Sequence, residues 1–192
     1  MSVFVAEKSA TIANLLAAYE GESNAHARYD FSAAKADAEG WLGAASLLRA
    51  AARAEQIHAA NHARVLRQLG SHARCEIHAV EVKSTLENLK AALVGEQFEI
   101  DTMYPGFIEE ASGSEVSLAR RSFLWAMEAE KTHAKLYQQA IDLVEKGMKD
   151  SWVGFARDFY VCSACGYTTQ TPEEQARCPV CNLAYEKFDV IR

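Results

Sequence analysis

The chain has 192 residues, 49% of them hydrophobic, and a formal net charge of −6. It can therefore bury a substantial core in one or two domains, but it has no clustered Lys and Arg for a nucleic-acid face and no apolar run of the ~18 residues that a membrane span needs. No basic-then-apolar leader opens the sequence, so the cytoplasm is the expected location.

In chain order, apolar residues recur at helical spacing from Ser9 to about Ala38, through Ile12, Leu15, Leu16, Tyr19, Ala25 and Tyr29, and Glu39-Gly40 punctuates the end. A second helix is predicted from about Leu42 to Leu69, with Gly70 as its stop. Residues 71–83 lack amphipathic periodicity and read as a long crossover. A third helix starts at Ser84 or Thr85, where Ser84-Thr-Leu-Glu87 matches a capping box, and runs to about Ala111, with the break at Ser112-Gly113. Ser114 and Glu115 open a fourth, which continues through Phe123, Trp125, Met127 and His133 to about Lys146, before Gly147. Up-down-up-down bundles use short loops, so the long middle connection predicts parallel second and third helices, as in ferritin-like folds. The expected fold is mainly α: a ferritin-like four-helix bundle over 1–150, then a small module over 151–192, where composition shifts to Tyr, Phe, Val, Cys and turn residues.

Two copies of one pattern lie in these helices, Glu55-Gln-Ile-His58 and Glu130-Lys-Thr-His133. Three residues turn a helix by about 300° and advance it about 4.5 Å, so each Glu and His share a face and one metal ion can meet both. Another Glu precedes each copy by a helical hairpin: Glu22 lies 33 residues before Glu55, and Glu99 lies 31 before Glu130. Any one of these glutamates is more simply a solvated surface charge. Four carboxylates and two imidazoles at matched offsets are instead the ligand set of a di-iron site inside a four-helix bundle.

Cys162-Ser-Ala-Cys165 and Cys178-Pro-Val-Cys181 form two CxxC knuckles, whose thiolates can close a tetrahedral site. Spacing does not separate zinc from a single iron. A neighbouring di-iron site favours iron, because zinc cannot carry electrons. A module of this size lacks an independent core, so the metal should supply much of its stability, on the order of 10 kcal/mol. The fifth cysteine, Cys75, has no CxxC partner and reads as an incidental thiol in the crossover.

These residues resemble one family, rubrerythrin. The likeness is carried by Gly21-Glu-Ser-Asn-Ala-His-Ala-Arg-Tyr29, Glu55-Gln-Ile-His58-Ala, Gly95-Glu-Gln-Phe-Glu99, Met103-Tyr-Pro105, Glu130-Lys-Thr-His133-Ala and the two cysteine knuckles, and so spans nearly the whole chain. The resemblance implies a C-terminal rubredoxin-like domain and a peroxidase that reduces hydrogen peroxide to water in defence against oxidative stress. Electrons would come from NAD(P)H through a separate donor protein, a rubredoxin or a reductase, by way of the iron in the four-cysteine site. The alternative is a ferroxidase or iron-handling protein with the same bundle. The family pattern also implies a head-to-tail homodimer, or a higher oligomer, in which one subunit's redox domain serves its neighbour's di-iron site.

Carried across, Glu22, Glu55, Glu99 and Glu130 would be carboxylate ligands, with Glu55 and Glu130 bridging, and His58 and His133 would each serve one of two non-haem irons. The third iron would sit on Cys162, Cys165, Cys178 and Cys181, with zinc as the structural alternative. Tyr29 would hydrogen-bond a ligand carboxylate, while His26 and His62 would lie behind the ligands or at the surface. The family has a further Glu just before Met-Tyr-Pro, and anchoring on Met103-Tyr104-Pro105 puts Thr102 there. A GluxxGlu search would pick Glu96 and Glu99 instead, at the expense of that register. With Thr102 in place of a fifth carboxylate, His58 is expected to stay bound in both redox states.

Overall fold

The computed structural model describes residues 3–111, 113, 116–171 and 176–192, with side chains from Lys8 onward. The expected break at Ser112 and helix start at Ser114-Glu115 lie outside the described residues. Among the described residues five α-helices carry the fold: α1 (Val3–Ala38), α2 (Leu42–Gln68), α3 (Thr85–Phe98), α4 (Tyr104–Glu110) and α5 (Ser117–Glu145). A π-helical segment, Glu99–Met103, joins α3 directly to α4, so the two act as one long interrupted helix and the bundle has four columns.

The helix ends follow from glycine. Gly40, Gly70 and Gly147 have φ of 75°, 82° and 66°. In each case the glycine N–H and the next residue's N–H close on the last turn: Gly40 to Asp37 and Trp41 to Ala36, Gly70 to Arg67 and Ser71 to Leu66, Gly147 to Val144 and Met148 to Leu143. These are Schellman motifs, in which a left-handed residue satisfies carbonyls that the helix leaves open. The capping box at Ser84 and Glu87 starts α3. Glu39, at the end of α1, accepts from both the amide and the hydroxyl of Thr85, at 2.9 and 2.6 Å, and so fixes where α3 begins.

Alanine sets the helix spacing. α2 buries Ala44, Ala45, Ala50, Ala51, Ala52 and Ala54 beside Leu47 and Leu48. Small side chains let α1 and α2 approach closely, while each fully buried leucine contributes about 1.5–3 kcal/mol. Two apolar clusters result, one around Tyr29, Leu48, Leu89 and Tyr137, the other around Leu15, Leu66, Tyr104 and Phe123. The metal-ligating residue types fall between them along the helices; Glu22, for example, lies between Ala18 of one cluster and Ala25 of the other. The crossover after α2 is pinned to α1 by Asn24, which donates to Glu76 O and accepts from the His78 amide.

After Gly147 the chain turns back onto α2. A 3-10 turn at Trp152–Gly154 packs so tightly there that a Cβ on Gly43 would collide with Trp152 O and lie 2.8 Å from Phe155 O. A three-stranded antiparallel sheet follows, in the order β2-β1-β3, from β1 (Phe159–Cys162), β2 (Thr168–Thr169) and β3 (Phe188–Ile191). Arg53 binds Asp189 at 2.8 Å and Arg49 Nε donates to Arg192 O at 2.6 Å, so β3 is tied along α2.

Candidate metal centre

Four columns converge on one buried polar centre. Glu22 from α1, Glu55 and His58 from α2, Glu96 from α3, and Glu130 and His133 from α5 are each at most 1% exposed. They fall into two overlapping groups, Glu22, Glu55, His58, Glu130 and Glu55, Glu96, Glu130, His133, whose donor atoms lie within 4.8 Å of one another. His58 Nδ1 is 2.9 Å from Glu55 Oε2, 2.8 Å from Glu130 Oε1 and 3.7 Å from Glu22 Oε2. His133 Nδ1 is 2.7 Å from Glu130 Oε2, 3.5 Å from Glu55 Oε1 and 3.8 Å from Glu96 Oε2. Glu55 and Glu130 thus face both imidazoles, while Glu22 and Glu96 each face one. The geometry is that of two half-sites sharing two carboxylates.

The donor set fits a pair of cations. Glu22 Oε2, Glu55 Oε1, Glu96 Oε2, both Glu130 oxygens and His133 Nδ1 are buried without a hydrogen bond. Some of these atoms are close, yet their lone pairs converge rather than pair, as donors around a common centre do. Four buried carboxylates without compensation would cost several kcal/mol each, so the cluster calls for positive charge. Burial and the charge of Glu55 push Glu22 up to about 8. Burial and Glu130 likewise raise Glu96 well above the usual carboxylate range. Burial acts upward on Glu130 as well, but His58 and His133 outweigh it and hold that carboxyl low. Both histidines are raised despite burial, chiefly by Glu130.

Two tyrosines aim the terminal carboxylates. Tyr29 donates to Glu96 Oε1 at 2.7 Å, and Tyr104 donates to Glu22 Oε1. In each glutamate the bonded oxygen faces the tyrosine and the unpaired Oε2 faces the centre. Sequence reasoning named Tyr29 but missed Tyr104, although it lies within the quoted Met-Tyr-Pro. His62 is fully buried behind Glu22, 3.2 Å from Tyr104 Oη and 2.9 Å from Ser122 Oγ, and burial together with His58 lowers it to about 3. His26 points away, its Nδ1 2.7 Å from Ala52 O. Cys75 is half-buried in the crossover.

On the third helix the structure brings a different glutamate into the donor groups from the one expected. Glu96, not Glu99, joins the donor groups. Glu99 opens the π-helical segment three residues on, half-buried, where burial and the charges of Glu22, Glu130, Glu96 and Glu55 raise its carboxyl. Thr102 is exposed. The expectation of Glu99 followed the register of Met103-Tyr104-Pro105, and the π-helical segment Glu99–Met103 lies between that anchor and Glu96. Glu99, three residues from Glu96, is a further carboxylate near the centre, whereas the exposed Thr102 offers none.

The four cysteine sulfurs also lie within 4.8 Å of one another, with Cys162 and Cys181 at 3.4 Å and Cys165 and Cys178 at 3.6 Å. Those separations are far too long for disulfides and close to the about 3.8 Å edge of a tetrahedral four-sulfur metal site. This cluster sits directly on the carboxylate centre of its own chain. His58 Nε2 meets Cys165 O at 3.1 Å, Asn61 donates to Ala164 O at 2.8 Å, and His133 Nε2 meets Thr168 Oγ1 at 3.1 Å. Gly166, at φ 80°, packs on the His58 ring, where a Cβ would overlap Nε2. Within one chain, the reversal at Gly147 and the close seat of Trp152 on Gly43 lay the module along α2. Asn61, Gly166 and Thr168 escaped the sequence reading because nothing in their local pattern marks a contact between such distant parts of the chain.

Among the described residues, no helix is long and apolar enough to cross a membrane. The model of a protein family described as Rubrerythrin matches residues 13–141. The chain is 39% identical over 183 residues to Rubrerythrin-2 of Clostridium acetobutylicum, covering 94% of this chain and 97% of that one. It is 33% identical over 179 residues to Nigerythrin of Nitratidesulfovibrio vulgaris, covering 93% and 85%. The solved structure of nigerythrin in its fully reduced, all-ferrous state superimposes with a TM-score of 0.82 at 30% identity, covering 94% of this chain and 86% of that one. A Desulfovibrio desulfuricans bacterioferritin shares the fold alone, at TM-score 0.72 and 18% identity, over 91% and 98% of the two chains. With the family pattern matched over most of its length and its two buried donor sets in place, the chain belongs to the rubrerythrin family.

Proposed function

We propose that the protein is a di-iron peroxidase that reduces hydrogen peroxide to water, with electrons delivered through an iron in the four-cysteine site. One observation carries this reading: the Cys165 carbonyl lies 3.1 Å from His58 Nε2, so a single hydrogen bond joins the sulfur cluster to the carboxylate cluster. A storage protein has no use for that junction. Iron bound at the two clusters would supply paired electrons for O–O cleavage and single electrons for refilling. In this reading Glu22, Glu55, Glu96, Glu130, His58 and His133 hold the iron pair, Cys162, Cys165, Cys178 and Cys181 hold the third iron, and the parts divide at about residue 150.

The chain's own groups prepare the site. His58 carries its hydrogen on Nε2, facing Cys165 O, which leaves the Nδ1 lone pair for the carboxylate side. Tyr29 and Tyr104 hold one oxygen of Glu96 and of Glu22, so the other oxygen is fixed before substrate arrives. Glu99, half-buried three residues after Glu96 and raised chiefly by burial, is the carboxylate available to answer added positive charge when the site is oxidised. The apolar clusters on either side and the docked module exclude bulk water, which strengthens each of these contacts.

Anaerobic stopped-flow reoxidation of the reduced, iron-loaded protein tests this, with hydrogen peroxide compared against dioxygen while the ferric-thiolate colour returns. Much faster return with peroxide, at one peroxide per two electrons, is expected. Faster oxidation by dioxygen would instead select a ferroxidase, and a module that never changes colour would select structural zinc.

A further inference from the structure

The two imidazoles are capped differently. His58 meets a main-chain carbonyl, which any residue at position 165 would present. His133 meets a side-chain hydroxyl, that of Thr168, which only certain residues can supply. Thr168 is 2% exposed and fixed on three sides. Its amide donates to Thr132 Oγ1 at 3.3 Å, its hydroxyl donates to Gly166 O at 2.9 Å, and the same oxygen lies 3.1 Å from His133 Nε2. A hydroxyl has one hydrogen to give. Because Gly166 O takes it, the oxygen can only accept from His133, so His133 must carry hydrogen on Nε2. Its Nδ1 lone pair then faces Glu130, Glu55 and Glu96, at 2.7, 3.5 and 3.8 Å.

We infer that Thr168 is a positioning residue through which docking of the four-cysteine module completes the His133 half of the carboxylate site. The inference rests on the two-metal reading above. Thr168 lies on β2, next to the knuckle that carries Cys165, whereas His133 lies on α5. The hydrogen bond therefore crosses from one metal cluster's scaffold to the other's ligand. Metal binding at the Glu55, Glu96, Glu130 and His133 group and docking of the module favour each other by the same factor, as linkage requires. The Glu22 and His58 half depends on the module only through backbone and is insensitive to the identity of residue 168.

The test uses the full chain with iron in the four-cysteine site and the carboxylate site stripped, titrated with Mn(II) and followed by loss of the free Mn(II) EPR signal. Wild type should take up two ions. Thr168→Val, which keeps the shape and removes the hydroxyl, should weaken one of them by about 10–100-fold, the usual effect of losing a partner behind a ligand histidine, and leave the other unchanged. Thr168→Ser should restore it. The inference is overturned if Thr168→Val binds both ions as wild type does, if Thr168→Ser is as weak as Thr168→Val, or if both ions weaken by the same factor. A wild-type chain that fails to bind two ions would overturn the two-metal reading itself.

Discussion

Gly166→Ala probes the seam between the two clusters. The added Cβ would overlap His58 Nε2 and lie 2.9 Å from Cδ2 and 3.1 Å from Cε1. Carbon contacts settle near 3.5–4.0 Å, so the overlap with Nε2 forces the knuckle and the ring apart by more than about 1 Å. That carries the His58 Nε2 to Cys165 O separation from 3.1 Å past the hydrogen-bond limit. The φ of 80° adds a penalty of about 1–2 kcal/mol for any side chain. Gly70→Ala isolates that penalty, because Gly70 has φ 82° and nothing within 4 Å of its Cβ position. Beyond it, the lost hydrogen bond and the stranded carbonyl should weaken docking by about 2 kcal/mol. That is roughly 30-fold in the open population. Hydrogen exchange at the Thr168 amide, which donates to Thr132 Oγ1 across the seam, reads this directly, with the ferric-thiolate absorption as a check that the knuckle is whole. Equal exchange at Thr168 in the two variants would refute the claim that Gly166 is required by its approach to His58.

Exchanging Glu96 for Gln should remove one ion from the carboxylate site, whereas Glu99→Gln should leave both bound; metal analysis giving the reverse order would return the ligand role to Glu99. In the metal-stripped protein Glu22, Glu96, Glu99, His58 and His133 all have raised pKa values, so they hold protons more tightly folded than unfolded. Their contribution is complete at low pH and is lost as pH rises, whereas the lowered Glu55 and Glu130 contribute a constant amount above the ordinary carboxylate range. The unfolding free energy should therefore fall from pH 4.5 to about 8, by about 1.4 kcal/mol per pH unit for each proton released, with a falling thermal midpoint as its readout, and bound metal should flatten the slope. A midpoint that rises over that window contradicts the assigned charges. Cys178→Ser should unfold the C-terminal module while far-UV helicity persists; a sheet still protected from exchange would show that the metal is not what holds it.

The helical frame was legible because its signals are local. Three glycines end three helices by one mechanism, a Ser and a Glu three apart start another, and a Glu and a His three apart must share a helix face. The third-helix donor was not, because Glu96 and Glu99 lie three apart on one helix and spacing alone does not choose between them. Residues 99–103 read as ordinary helix, and only the observed bonding shows that the turn is wider there. Glu96 was visible as one end of a GluxxGlu pair and was set aside for the Met-Tyr-Pro register, which lies beyond the wide turn. The seat of the cysteine module was illegible for a different reason. Its contacts join residues 103 and 107 apart, such as Asn61 to Ala164 and His58 to Cys165, and a missing Cβ at Gly43 and at Gly166 decides whether they can form.

The return of the chain at Gly147 also sets how the two clusters meet in time. A tether of about a dozen residues, from Lys146 to Asp158, holds the sulfur cluster over His58, so their encounter is first order. Flexible linkers of that length give effective concentrations in the millimolar range, and the Trp152 seat on α2 raises this by restricting where the module can wander. Dilution leaves such a contact intact. A contact held by such a tether is set by the length and seat of residues 146–158 and not by the concentration of the chain.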